Sequence, residues 1–181
     1  MPCSQLQTER LLLRPQTAAD IPSLVSLLND FEVAKNLARV PHPYTEDHAR
    51  SFLVRGAEER AKGIAYPFAM IAKSDGTLIG GCGLHLKDDG VFELGYWIGR
   101  PFWGRGYASE GARRLAAFAF YDLKAARLSA GWFHGNPASG RVLEKLGGVF
   151  AGGEQRESLA RGEAVYCYKV VLDRENFGRR Q

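Results

Sequence analysis

Residues 93–110 read ELGYWIGRPFWGRGYASE. The segment begins as a strand, passes through a glycine-rich turn at Gly104-Arg105-Gly106 and opens directly into a helix near Tyr107. Glycines at that junction let the main chain approach a ligand with no Cβ in the way. The first N–H groups of a helix have no intrahelical acceptor, and together with the helix dipole they form a ready anion site. Arg100 and Arg105 add positive charge nearby. Two phosphates joined as a pyrophosphate suit such a site.

Other phosphate and nucleic-acid motifs fit less well. A Walker loop needs Gly-Lys-Ser/Thr, and that tripeptide does not occur. A dinucleotide fingerprint needs a third glycine at position 109, which is Ser109, and it sits on the first strand of a parallel sheet. Arg105-Gly106-Tyr107-Ala108 matches the start of an RNA-binding strand signature, but Ser109 and Glu110 break it. Ala112, Leu115, Ala116 and Ala119 then recur with helical period, so stacking aromatics would not share a sheet face.

Outward from this segment the chain alternates in texture. Residues 10–14 (RLLLR) read as a strand stopped by Pro15. Asp20 reads as an N-cap, with Pro22 in the first turn and Ile21, Leu24, Val25, Leu27 and Leu28 on one helical face. A short helix is expected over 32–38, and Thr45 with Glu46 and Asp47 opens a longer one reaching Gly63. Strands are expected at 66–72, 78–86 and 91–99, separated by the hairpin-type turns Ser74-Asp75-Gly76 and Asp88-Asp89-Gly90. A helix (107–121), a strand (127–133), a helix (137–146) and two strands (149–157 and 164–172) complete the order. The simplest packing is an α/β fold, a mixed, mostly antiparallel sheet of about seven strands with helices on both faces.

With 181 residues, 45% hydrophobic and 24% charged, the chain reads as one domain, 1–181, able to bury a substantial core. The net charge of +4 agrees equally with an anionic cofactor, an RNA-rich neighbour or no charged partner. Cys3, Cys82 and Cys167 are odd in number and widely spaced, which argues against a disulfide framework or zinc ribbon and for a reducing compartment. Cys82, in an apolar strand-like run, reads as a core residue. Residues 1–15 hold no apolar stretch suited to a signal peptide, and no run approaches the ~20 residues of a membrane helix. The cytoplasm is the expected compartment, with no membrane and no direct nucleic-acid partner. His42, His48, His85 and His134 show no metal-ligand spacing, so no metal is expected.

Residues 93–98 (ELGYWI) and 103–110 (WGRGYASE) resemble the acetyl-CoA signature of the GNAT superfamily, in the branch of the ribosomal-protein N-acetyltransferases RimJ and RimL. Residues 136–139 (NPAS) with 142–147 (VLEKLG) are similar to the later motif of that branch, and 8–14 (TERLLLR) to its opening. The resemblance implies a GNAT fold and transfer of an acetyl group from acetyl-CoA to an amine. The acceptor it implies is the N-terminal α-amine of a ribosomal or other protein, with a small-molecule amine or a non-catalytic acyl-CoA sensor as alternatives. Homodimers are common among such proteins.

The same resemblance implies roles for particular residues. Trp103, Gly104, Arg105, Gly106, Tyr107 and Ala108 would hold the coenzyme A pyrophosphate, chiefly through backbone N–H groups. Tyr96, Trp97 and Ile98 would lie on a strand that splays from its neighbour, leaving backbone groups for the pantetheine arm and an N–H near Ile98 for the thioester oxyanion. Asn136 would bond the cofactor. A neutral amine needs a proton acceptor, and Glu93, on the strand leading to the thioester, is the expected general base. Its alternative is a solvent-facing strand residue or a structural salt bridge. Glu110, in the first helical turn, reads as structural.

Where many family members place a tyrosine acid this chain has Leu143, and Ser139 is the expected substitute, as acid or as a hydrogen bond to the sulfur. Its plain alternative is a residue at a helix start. Pro101 and Gly148 also depart from the family pattern. His134 reads either as a substrate contact or as a surface histidine. Trp97, Tyr44 and Phe52 read either as acceptor-pocket walls or as core.

Overall fold

Asp75 and Asp89 turn the chain as their setting predicts, each carboxylate accepting the N–H two residues on, from Thr77 at 3.0 Å and Val91 at 2.9 Å. These turns join β3 (Ala65–Ala72), β4 (Leu78–Leu86) and β5 (Phe92–Ile98) into an antiparallel meander. The computed structural model describes residues 5–178; Cys3 and the first four residues of the N-terminal stretch lie outside them.

Two strands precede the meander, β1 (Leu6–Gln7) and β2 (Leu11–Arg14). Between β2 and β3 lie α1 (Ile21–Leu28), α2 (Phe31–Ala34) and α3 (Glu46–Ala61). After β5 come α4 (Tyr107–Ala117), β6 (Arg127–Phe133), α5 (Pro137–Lys145), β7 (Val149–Ser158), β8 (Glu163–Asp173) and α6 (Arg174–Gly178). Among the described residues eight strands form one sheet in the order β1-β2-β3-β4-β5-β6-β8-β7, parallel only between β5 and β6. The mixed sheet is as expected, with one strand more than the about seven read from sequence. The two-residue β1 is too short to carry an alternation signal.

Period-two alternation sorts the core. On one face Leu11, Leu13, Phe68 and Met70 pack with Ala112, Leu115 and Phe118 of α4 and the turn after it. Ala69, Ile71 and Leu78 face the other way, against Leu24 of α1. Helices therefore cover both faces. Pro67 sits in β3 beyond the reach of β2, whose pairing covers only Ala69 to Ala72, so its missing N–H breaks no ladder on that side.

Asp20 holds the N-cap position of α1 as expected, although its carboxylate makes no cap bond there and turns back to Thr17 and Arg14, closing a 3-10 turn (Ala18–Asp20). Two local expectations are corrected. The helix expected over 32–38 is one turn, α2, capped by Asp30. The helix expected to reach Tyr121 is α-helical only to Ala117 and continues as a π turn from Phe118 to Asp122.

The buried Asp20 carboxylate takes both ends of the Arg14 guanidinium, at 2.7 and 2.8 Å, and the Thr17 N–H at 2.7 Å. Burial works against its charge, but the bonds from Arg14 and Thr17 outweigh it and hold the carboxyl below the usual carboxylate range. Asp20→Asn leaves Arg14 unpaired and should cost about 2–3 kcal/mol in urea unfolding at pH 7. A depressed folded value gives stability that is present above the unfolded value of ~4 and lost as pH falls through the folded one. The gap between wild type and variant should therefore narrow below about pH 4. A gap that does not change with pH would reject the pairing as its source.

Candidate active site

β5 and β6 part company almost at once. They pair only at Phe92 with Leu128 and Glu93 with Ser129. On its other edge β5 stays paired to β4 as far as Ile98, and the Gly99 N–H continues the ladder to the Ile79 carbonyl. Backbone groups alternate sides along a strand, so those of Leu94, Tyr96 and Ile98 point into the gap where β6 has departed. The Trp103 indole donates to the Ile98 carbonyl there at 2.6 Å, and leaves the Ile98 N–H without a strand partner. A cleft of about 980 Å³ opens through this gap and reaches both faces of the sheet.

At the wide end of the gap lies the glycine-rich turn. Gly104 and Gly106 have φ of 75° and 81°, a left-handed geometry that other residues resist. Gly106 is the N-cap of α4, and the Gly104, Gly106, Tyr107 and Ala108 backbone borders the cleft. A Cβ on Gly104 would meet open space. The orphan N–H groups of α4 thus face an accessible, Cβ-free concavity suited to an anion. Arg105 lies in this turn, with its guanidinium 5.9 Å from the Phe102 ring.

On the α4–α5 side, the Tyr96 hydroxyl lies 2.9 Å from both the Ser139 carbonyl and the Ser139 Oγ. Burial pushes this phenol up to about 12, against the pull of the Ser139 bond, so it stays protonated and acts as a hydrogen-bond partner. Asn136 caps α5, its side-chain oxygen accepting the Ser139 N–H at 3.3 Å. Leu143 is fully buried in the core, so its position points away from the cleft.

On the α1–α3 side, Glu93 carries two cations. Its Oε1 accepts from Arg156 at 2.7 Å, and its Oε2 lies 3.8 Å from Lys87. Arg156 also donates to Glu154, which in turn takes Lys169. Burial opposes the Arg156 charge, but Glu154 and Glu93 outweigh it and hold the guanidinium protonated. Glu93 is 16% exposed and borders the cleft. The Trp97 indole packs against Gly81 on this same face and, with Tyr44 and Phe52, lines the cleft. Tyr44 also belongs to the cluster beneath α1, so wall and core are one residue here.

The structure thus brings Glu93, Tyr96, Trp97, Ile98, Trp103, Gly104, Gly106, Tyr107, Ala108, Asn136 and Ser139 to one cleft. His134 is an exposed residue bonded to the Tyr168 hydroxyl and lies off the cleft wall. Cys82 is buried, and burial pushes its thiol up, as befits a core residue. Arg156 and the Tyr96–Ser139 pairing were not read from the sequence. The period of β5 carried a faint signal for Tyr96, which shares a face with Leu94 and Ile98. Nothing local marks Arg156. Among the described residues no three His, Cys, Asp or Glu side chains group as a metal site, and no helix is long and apolar enough to cross a membrane.

The sheet thus splays at its parallel β5–β6 step, with the glycine-rich loop at the mouth of the gap. The chain belongs to the GNAT acetyltransferase family, whose domain model matches residues 10–149. It is 32% identical over 177 residues to the N-acetyltransferase p20 of Bacillus licheniformis, covering 96% of this chain and 98% of that one. Its fold is that of Mycobacterium smegmatis RimJ, solved with a CoA disulfide, at TM-score 0.80 and 18% identity over 91% of this chain and 82% of that one. The ribosomal-protein-S5-alanine acetyltransferase of Vibrio fischeri is similar at TM-score 0.81 and 17% identity, over 96% and 98%.

Proposed function

We infer that this acyltransferase takes its acetyl group from acetyl-CoA and passes it directly to a primary amine, by preference the N-terminal α-amine of a ribosomal or other protein. The observation that carries the reading is the unpaired edge of β5 running into the glycine turn. It supplies main-chain groups for a pantetheine arm and, further along, helix N–H groups for a diphosphate. The N–H groups from Gly104 to Ala108 would hold the diphosphate, and the Asn136 amide nitrogen, which the cap does not use, a cofactor polar group.

The Ile98 N–H, aimed into the gap, would donate to the thioester oxygen as negative charge builds on it. One such fixed donor is worth ~10²–10³ in rate. Glu93, about 16 Å before Ile98 along β5, would accept the amine proton through a chain of waters, with Arg156 holding the carboxylate in place. Ser139, held by Tyr96, would hydrogen-bond the departing sulfur. A phenol pushed up to about 12 is too weak an acid to protonate a thiolate whose ordinary value is ~8.5, so the last proton comes from solvent.

The cleft reaches the upper end of usual ligand-site volumes, leaving room for an acceptor beyond the donor arm. The ribosomal-protein acetyltransferase neighbour favours a protein as that acceptor. Thiol release from acetyl-CoA, measured with a panel of free and blocked N-terminal peptides beside small amines, tests the assignment. Turnover confined to peptides with a free α-amine supports it. Turnover on small amines alone moves the acceptor, and binding without turnover on any amine removes the enzymatic reading.

Tyr96→Phe removes a neutral hydrogen bond to Ser139, worth about 1 kcal/mol, and should lower kcat/KM about fivefold. Ser139→Ala should lower it at least as much, and the double variant should lose less than the product of the two single losses. Additive losses would show that the two hydroxyls act separately.

A further inference from the structure

The turn between β1 and β2 reaches the glycine-rich loop through one side chain, Arg10. The Arg10 Nε donates to Glu110 Oε2 at 2.7 Å, its Nη2 lies 2.6 Å from the same oxygen, and its backbone N–H donates to Oε1 at 2.9 Å. Thr8 adds a 2.6 Å bond to that Oε1. The remaining arm of the guanidinium, Nη1, donates to the Arg105 carbonyl at 3.0 Å, inside the glycine turn, and the group stacks 4.7 Å from the Tyr107 ring centroid. Burial opposes the charge of Glu110, but the bonds from Thr8 and Arg10 outweigh it and keep the carboxyl ionised, below its usual range.

In a trans peptide the carbonyl and the following N–H point to opposite sides. Holding the Arg105 carbonyl toward Arg10 therefore turns the Gly106 N–H away from it. We propose that Arg10 is a positioning residue for the anion loop. Fixed by Glu110, its guanidinium sets the Arg105–Gly106 peptide so that the Gly106 N–H faces the donor's diphosphate. The β1–β2 turn thereby governs donor affinity and leaves acyl transfer alone. This rests on the acetyl-CoA reading above.

Packing does not explain the arrangement. Arg10 is 45% exposed, so little apolar contact depends on it, and α4 is seated independently through Gly111 against Met70. A lysine supplies a point charge instead of a fork and cannot serve Glu110 and the Arg105 carbonyl together.

The test is steady-state kinetics of Arg10→Ala and Arg10→Lys with acetyl-CoA and with S-acetylpantetheine, which lacks the diphosphate. The KM for acetyl-CoA should rise about tenfold in both, as expected for a lost charge-assisted bond, with kcat within about twofold. The constants for S-acetylpantetheine should match wild type. The lysine variant carries the test should the alanine variant not fold. An unchanged KM for acetyl-CoA, or an equal loss with both donors, overturns the positioning role. Wild-type protein that gives no calorimetric signal with CoA overturns the acetyl-CoA reading itself, and the positioning role with it.

Discussion

Gly106→Val is expected to weaken CoA binding about a hundredfold, the sum of two effects of about 1–2 kcal/mol each. Gly106 sits at φ 81°, where a residue with a Cβ is strained and a β-branched one more so. Its Cβ would lie in ordinary contact, 3.4 Å from the Arg10 guanidinium, and the valine γ-methyls beyond it would crowd that group. Relaxing φ to negative values swings the Gly106 and Tyr107 N–H groups off the diphosphate, and displacing Arg10 frees the Arg105 carbonyl. Gly104→Ala is the control. It shares the left-handed φ, but its Cβ meets open space, so only the strain applies and the loss should be about tenfold. Isothermal titration with CoA reads both values. Near-wild-type affinity in the valine variant would show that the anion is held elsewhere.

The second large effect concerns the proton. Glu93→Gln keeps the shape of the side chain and its acceptor oxygen but cannot take a proton, and kcat should fall about 100-fold or more. The KM for acetyl-CoA should stay within about twofold, because Glu93 lies at the closed end of the gap, far along β5 from the loop. Raising the pH should recover part of the rate, since the amine then loses its proton unaided. The rival role is visible in the same geometry, since Arg156 and Lys87 both contact this carboxylate. If Glu93 served only to neutralise them, the variant would lower thermal stability, alter both KM values and show no rescue at high pH. Thermal melts beside the pH–rate profile separate the two.

Much of this site was legible because its signals are local. The glycine turn, the strand before it and the helix after it are neighbours in the chain, and each element is dictated by residues within a few positions. The same holds for the Asp-Gly turns of the meander and the Thr45 cap of α3. Local reading failed where a side chain had a choice of partner. Asp20 precedes a helix and carries a capping side chain, yet the Arg14 fork six residues earlier offers two charge-assisted bonds and takes it.

Three pairings lay beyond any local signal: Arg10 with Glu110, 100 residues apart; Glu93 with Arg156, 63 apart; and Tyr96 with Ser139, 43 apart. The second depends on β7 folding back along β8, with Gln155 opposite Tyr166 and Arg156 opposite Val165. A slip of one residue in that register would turn Arg156 to the other face. The third depends on where α5 settles after β6 diverges.

The amino-acid order alone therefore determined the alternation of strands and helices and the glycine-rich loop ahead of α4, both properties of short segments with fixed backbone preferences, and its motifs carried the resemblance to an acyltransferase family. Tertiary structure alone decided which charges meet across the sheet, how far β5 and β6 separate and which hydroxyl reaches Ser139. Those outcomes turn on register and on the placement of distant elements, which chain-local energetics leave open.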